Sequence, residues 1–481
     1  MFSITIYLFV KPKGCCINHR LRGIIEPNTG EKSGWSCEVK MFTEFQFPYG
    51  NSVLTARIPS KNISLVLKRR HAKGLPNDTK ALVEALRSPM DCPPLSDCVS
   101  KNDKVVVIVT DNTRACPDDR LVPPILAELE QKLPKENITI LVALGLHYPL
   151  SKEELTEKLG GDIVANYQVI NHNINQTLNI GTTSRGTPVE VNRRVLEADF
   201  RISTGFIEPH FFAGFSGGSK SIAPGVSSPR SIYKNHGYKM IEHPLSRSGI
   251  LQGNPIHEDI VEQAKMAKLN FIVNVLLNEN KEITHIVAGD PVKAHEKGCE
   301  IEKALVGVEV DRKIDITVTT NSGAPLDLDL YQTCKGIENA SLITRDGGII
   351  ITASSCNRGA GPEAFTKLHL STHSPTEVLQ KIMHEELNCV QWQNQILAHV
   401  QLKNDIYLVS GLDDSLVKDM IMVPVCTIEE GLTKAFQVLG SAAEVAVIPE
   451  GHLVLPMLKN CKLPFNHTEE LLSKPYDLYG L

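Results

Sequence analysis

Lys104-Val-Val-Val-Ile-Val-Thr110-Asp111-Asn-Thr-Arg114 joins an unbroken apolar run to a polar turn. A strand with one wet face alternates apolar and polar residues. Here Val105 through Val109 are all β-branched, the pattern of a strand buried on both faces inside a parallel sheet. Outward from it the pattern repeats. Val122–Leu133 reads as an amphipathic helix, and Ile138–Leu144 as the next strand. Ser151–Leu159 reads as a helix opened by a Ser-x-x-Glu capping box. Phe200–Thr204 is a third strand, Asn254-Pro255 starts a helix through Lys268, and Asn270–Leu277 is a strand. Asp290-Pro291 caps a helix running towards Ala304. A fresh series starts at Ile314–Thr320 and continues through Gly348–Thr352, a helix over 375–385, Ile406–Ser410 and Glu444–Pro449. Upstream, Phe47-Pro-Tyr-Gly50 is a strand–turn signal, and Asp78–Arg87 has helical spacing behind Asn77.

This alternation predicts an α/β protein of two domains with largely parallel sheets covered by helices. The length of 481 residues also exceeds one ordinary core. The expected limits are a poorly ordered extension or upstream start over 1–40, a first α/β domain over 41–309, and a second α/β domain over 310–442. A C-terminal segment, 443–481, is free to return to the first domain. A net charge of −5 supplies no electrostatic attraction to nucleic acid or an anionic membrane, and neither is expected as a partner. The twelve cysteines contain no Cys-x-x-Cys pair, which points to a reduced, cytoplasmic setting. The early apolar run Ile4–Val10 is short and lacks the flanks of a signal peptide.

Ligands in open α/β sheets sit outside the carboxyl ends of strands. The residues that follow these strands are therefore the candidates. Asp111-Asn112-Thr113-Arg114 follows the first, Gly145-Leu-His147 the second, and Gly205 through Lys220 the third, while Asn321-Ser-Gly-Ala-Pro325 opens the second series. The third is Ser203-Thr-Gly-Phe-Ile-Glu-Pro-His210-Phe-Phe-Ala-Gly-Phe-Ser-Gly-Gly-Ser-Lys220, with glycines free to let backbone approach a ligand. Gly214 through Ser221 nearly matches the phosphate-loop pattern, which makes a nucleotide-binding hydrolase or kinase the alternative reading. Each residue also has a plain role. Asp111 could cap a turn, His147 could be a satisfied loop histidine, and Lys335 a solvated helix lysine. His257-Glu258 lacks the second histidine of a zinc helix, and His243, His285 and His295 fall in no motif and read as surface or packing residues.

Taken together, the motifs resemble the nickel-dependent lactate racemase family. The resemblance rests on Asp111-x-Thr-Arg114, Ala143-Leu-Gly-x-His147, and Pro209-His210-x-x-Ala-Gly-Phe-Ser-Gly-Gly-x-Lys220. Pro224-Gly225, Asn235-His236, Gly253-Asn-Pro255 and Tyr331-Gln332-x-x-Lys335 extend it from Phe47 nearly to the end. One departure is Ala115-Cys116, where many members have proline directly after the arginine.

The resemblance implies a racemase or epimerase of a 2-hydroxy acid, with its site in the cleft between two domains. It implies a nickel-pincer nucleotide, nickel pyridinium-3,5-bisthiocarboxylic acid mononucleotide, linked covalently through Lys220 with His236 as the protein ligand to nickel. His147 and His210 resemble the two acid–bases, and Asp111, Asn112, Thr113 and Arg114 the segment lining cofactor and substrate. Gln332 and Lys335, with Arg114, resemble the substrate-binding set. The Cα–H of a 2-hydroxy acid is too weak an acid for simple deprotonation. The family's chemistry moves it as a hydride while a histidine takes the hydroxyl proton, giving a planar 2-keto acid that can be reduced from either face. Implied partners are the small-molecule acid and the enzymes that make the cofactor. Phe211, Phe212 and Tyr148, beside the bases, are candidates for side-chain selectivity.

Overall fold

The computed structural model describes residues 42–384 and 390–459. The expected 1–40 extension therefore lies outside the described residues, as does the end of the 443–481 segment. Two six-stranded sheets carry the architecture. In the first, the strand order is 283–289, 271–277, 200–206, 105–110, 138–143 and 168–171, parallel throughout except for the antiparallel pair at 271–289. In the second, the order is 423–424, 405–409, 344–353, 314–320, 445–448 and 63–66, all parallel.

The all-apolar reading of Val105–Val109 has a direct structural counterpart. Val105, Val107 and Val109 enter one core with Leu121, Ile125 and Ile140, whereas Val106 and Ile108 enter a separate core with Ile222 and Ile272. Alternate residues thus feed helix layers on opposite faces, so no polar position is tolerated. In the second sheet the strand Ile314–Thr320 sends Ile316 and Val318 into one core, while Thr317 and Thr319 of the other face are also fully buried, Thr317 bonded to the Thr344 hydroxyl at 2.8 Å.

The helix Asp78–Arg87 is capped by Asn77, whose side chain accepts from the Lys80 N–H. The helix Lys152–Leu159 has both halves of its capping box. The helix expected at Val122–Leu133 instead spans Asp118–Leu129. It starts behind Pro117 with two aspartates in its first turn, where they suit the helix dipole, and so runs through Pro123 and Pro124. No helix among the described residues is long and apolar enough to cross a membrane. The described cysteines are all free.

Sheet membership departs from the expected limits at both ends. The antiparallel hairpin Phe42–Tyr49 and Ser52–Pro59 packs Phe47, Ala56 and Ile58 onto Ile316, Val318 and Leu432. Ile63–Val66 then pairs with Val445–Ile448 in the second sheet. Residues 42–66 therefore belong with the second sheet and not with 105–289, because that sheet offers an open edge and an uncovered apolar face. At the other end, Val445–Ile448 sits inside the second sheet, and Leu455–Leu458 pairs with Gly307–Val310.

Each sheet has a topological switch point. In the first, the chain moves outward from 105–110 through 138–143 to 168–171, then returns to place 200–206 on the other side of 105–110. In the second, 445–448 returns to lie beside 314–320. Connections leave such adjacent strands in opposite directions, and a crevice opens beyond their carboxyl ends. The two crevices face one another: Glu208, just past one switch point, lies 3.7 Å from His452, just past the other.

Candidate active site

The first wall of the cleft is the turn after Val105–Thr110. Asp111 is buried and accepts from the Thr113 N–H at 3.1 Å and the Thr113 hydroxyl at 2.6 Å. Its other oxygen lies 2.5 Å from His147 Nδ1. Burial alone would raise the Asp111 pKa. The hydrogen bond and charge of His147, with Arg114 and Thr113, outweigh it and hold the carboxyl below its usual range. An ionised carboxylate only accepts, so His147 Nδ1 carries the proton and Nε2 of the neutral ring is left as a base. Beneath this turn Asp118 is fully buried. It binds Lys158 at 2.9 Å and accepts from Thr110 and Thr204 at 2.7 and 2.5 Å, tying the ends of both switch-point strands to one carboxylate.

The second wall is the loop after Phe200–Phe206. Pro209–His210 pairs antiparallel with Gly214–Phe215, making a tight two-rung ribbon. His210 is buried between Phe211 and Phe212, with ring centroids at 5.0 and 4.5 Å. Its Nδ1 accepts the Ala213 N–H at 3.3 Å, so the proton of the neutral ring is on Nε2. His147 and His210 are thus oppositely set, one with a free lone pair at Nε2 and one with a donor there. Burial, then Lys220, Arg114, Lys335 and His236, push the His210 pKa well below its ordinary value.

Lys220 lies on a single 3-10 turn, Gly218–Ser221. Burial, Arg114 and Lys335 bring its ammonium down to about 7, and its Nζ is 5.8 Å from the Phe212 ring centre. Lys335, on the helix Leu330–Ser341 of the opposite wall, is brought down to about 8 by burial and Arg114. Gln332 is on the first turn of that helix, its N–H bound to Asp329 at 2.7 Å. Burial opposes ionisation of Glu208, yet His452, Lys335 and Arg114 hold its pKa below the ordinary range. His236 is buried at the end of the helix Pro229–Asn235, edge-on to Phe212 at 4.8 Å and to Trp392 at 5.1 Å. Burial and Lys220 hold its pKa well below the ordinary value.

The named residues therefore converge from both sheets. Asn112 and Thr113 are exposed on the Asp111 turn, and Arg114 is partly exposed beside them. Phe211 and Phe212 are buried packing partners of His210 and His236, while Tyr148 is 93% exposed. Three residues escaped the reading of the sequence. Trp392, which donates to the Tyr331 hydroxyl at 3.2 Å, comes from a polar helix with no motif around it. Glu208 lies in the quoted loop, and His452 follows the last buried strand. Their positions at strand ends were the available signal.

The phosphate-loop alternative fails on geometry. Such a loop opens a multi-turn helix after a strand; here Gly218–Ser221 is one 3-10 turn after a ribbon. The glycines serve packing. A Cβ on Gly217 would meet Asn274 Oδ1 at 2.6 Å, and one on Gly218 would meet the His295 ring at 2.5 Å. His295 is buried and bonded to the Ser216 carbonyl at 2.8 Å, so it packs as a post behind the loop. Gly218→Ala, at φ +54°, is expected to cost about 2–3 kcal/mol in thermal or urea unfolding. Gly440→Ala, at φ +93° with nothing within 4 Å, is expected to cost only about 1 kcal/mol.

Comparison with known proteins is consistent along most of the chain. Residues 49–249 match the lactate racemase N-terminal domain and 310–455 the lactate racemase C-terminal domain. Lactate racemase from Thermoanaerobacterium thermosaccharolyticum is 36% identical over 419 residues, covering 85% of this chain and 98% of that protein. Lactate racemase from Lactiplantibacillus plantarum is 37% identical over 414 residues, covering 84% and 97%. The solved lactate racemase apoprotein from T. thermosaccharolyticum superposes with a TM-score of 0.82 at 35% identity, over 86% of this chain and all of that one. A Thermotoga maritima structure, at TM-score 0.62 and 21% identity over 81% of this chain, shares the fold. With both family domains matched in order and two relatives aligned over nearly their full length, the chain belongs to the lactate racemase family and is an isomerase of the racemase type.

Proposed function

We propose that this protein interconverts the enantiomers of a 2-hydroxy acid, lactate being the acid its relatives are named for, with a nickel-pincer nucleotide held by Lys220 and His236. The observation that carries the reading is the meeting of Arg114, Lys220 and Lys335 with three histidines across facing switch points. Two buried lysines lowered by a neighbouring guanidinium are what an anionic ligand relieves, and a nucleotide phosphate and a substrate carboxylate are both anions. The donor set fits a metal that arrives with its own ligands. Among the described residues no three His, Cys, Asp or Glu side chains group to hold a metal ion, while His236 offers one neutral imidazole. When bound, the nucleotide supplies a reversible acceptor for the hydrogen on the substrate's Cα.

The chain's own part is binding and proton transfer. Arg114 and Lys335, with Gln332, hold the carboxylate from opposite walls, the guanidinium through paired hydrogen bonds. His147 Nε2 takes the hydroxyl proton of one enantiomer while Asp111 stabilises the resulting imidazolium. His210 serves the other enantiomer from the opposite protonation state, giving its Nε2 proton to the 2-keto oxygen when that enantiomer forms and taking it back when that enantiomer reacts. Phe211, Phe212 and Trp392 keep water from the reacting carbon. Free cysteines suit a reduced, cytoplasmic setting, and loading requires the enzymes that make the cofactor.

The test is a panel of single-enantiomer 2-hydroxy acids, including D- and L-lactate, given to protein coexpressed with the cofactor-making enzymes. Scrambling of at least one member is expected, and Lys335→Ala should lower its kcat/KM by about 10- to 100-fold. Loaded protein that scrambles no member of the panel would overturn the substrate class.

A further inference from the structure

We propose that Asn235 and Asp259 form a positioning pair that fixes the tautomer of His236, keeping the proton on Nδ1 and the Nε2 lone pair free for a metal. The proposal rests on the reading of His236 as the nickel ligand.

His236 Nδ1 lies 2.8 Å from Asn235 Oδ1. An amide can be turned either way, so its far side decides which atom faces the ring. There, Asn235 Nδ2 lies 2.7 Å from Asp259 Oδ2 and 3.3 Å from the Ile256 carbonyl. Both of these partners accept, so the nitrogen must point to them and the oxygen to His236. An amide oxygen only accepts, and the proton is thereby assigned to Nδ1. No other hydrogen bond to either ring nitrogen of His236 is present among the described residues.

Asp259 is built into place. It is fully buried on the helix Pro255–Met266 and has no ion-pair partner among the described residues. Its charge is met by three donors: Asn235 Nδ2, Thr183 Oγ1 at 2.6 Å and Gln263 Nε2 at 2.9 Å. A buried carboxylate without a cation is costly, and hydrogen bonds to it are strong. It polarises the amide it binds, which makes Asn235 Oδ1 a better acceptor and the imidazole a better electron donor at Nε2. The helix is tied to the active-site loop through its cap: Asn254 Nδ2 donates to the Phe212 carbonyl at 2.9 Å and the Ile250 carbonyl at 3.0 Å. Phe212 and Trp392, edge-on to His236, hold the plane of the ring.

Two measurements test the pair. In full-length apoprotein labelled with 15N-histidine, two-bond 1H–15N correlation identifies the His236 tautomer, assigned by its loss in His236→Gln. The wild type is expected as the Nδ1–H form, and Asn235→Ala is expected to shift the ring towards the Nε2–H form that free imidazole prefers. In holoenzyme, Asn235→Ala and Asp259→Asn should lose nickel to a chelator about 10- to 100-fold faster than wild type, with the adduct mass on Lys220 unchanged. An Nε2–H tautomer in the wild type overturns the proposal, as do unaltered tautomer and nickel retention in Asn235→Ala. Wild type carrying neither nickel nor adduct would instead sink the cofactor assignment, and the apoprotein spectrum would still decide the tautomer.

Discussion

Lys220→Ala, coexpressed with the cofactor-making enzymes, is expected to purify without the covalent mass carried by the wild type and with no racemase activity. The ammonium of Lys220 sits with Arg114 and Lys335, and burial among them lowers its pKa to about 7. Near neutral pH about half of it is then free amine, against about one part in a thousand or less for an ordinary lysine. That is the state a nitrogen needs to form a covalent bond. The same feature is measurable in the apoprotein, where an amine-selective acylating reagent at pH 7 should mark Lys220 ahead of the surface lysines. Lys220→Arg keeps the charge and loses the nucleophile, so it should lack the adduct equally. Removing a cation from a group of three relieves repulsion, and the alanine variant is expected to melt no lower than wild type. An adduct of unchanged mass on Lys220→Ala would show that the tether lies elsewhere.

The second large effect is expected at His147 and His210. Each alanine variant should load cofactor normally and lose racemisation by about 10²- to 10⁴-fold. The equilibrium constant of a racemisation is one, so both directions must fall together and overall rates cannot tell the two histidines apart. Enzyme-stoichiometric conversion to the 2-keto acid can. Each variant should keep that half-reaction for one enantiomer and lose it for the other, with the two variants opposite. Asp111→Asn is expected to cost at least about 10²-fold, because an amide can donate to His147 Nδ1 and draw the proton to Nε2. The 2.5 Å contact between Asp111 and His147 makes this the sharpest position for a conservative change. Full racemisation by either histidine variant would end the two-base assignment.

Much of the candidate site was legible because it lies on local signals. His147, His210 and the Asp111–Arg114 turn each follow a buried strand by a few residues, Lys220 lies further along the same loop as His210, and the carboxyl end of such a strand is where an α/β sheet opens to a ligand. The glycines of the loop were read for ligand approach, whereas Gly217 and Gly218 yield to Asn274 and His295. A glycine signals that something comes close, without telling what.

What the sequence determined by itself was the alternation of strands and helices. A run such as Val105–Val109 has no polar face to offer water, so burial on both sides is decided within five residues. The tertiary structure alone decided strand order, and with it the site. Ile63–Val66 pairs with Val445–Ile448 across most of the chain, and Glu208 meets His452 only because two switch points face each other. Trp392 reaches His236 in the same way, from a helix with no local mark of function. Pairings between distant strands are selected by which apolar edges and faces remain uncovered once the rest has packed, and no short window of residues contains that information.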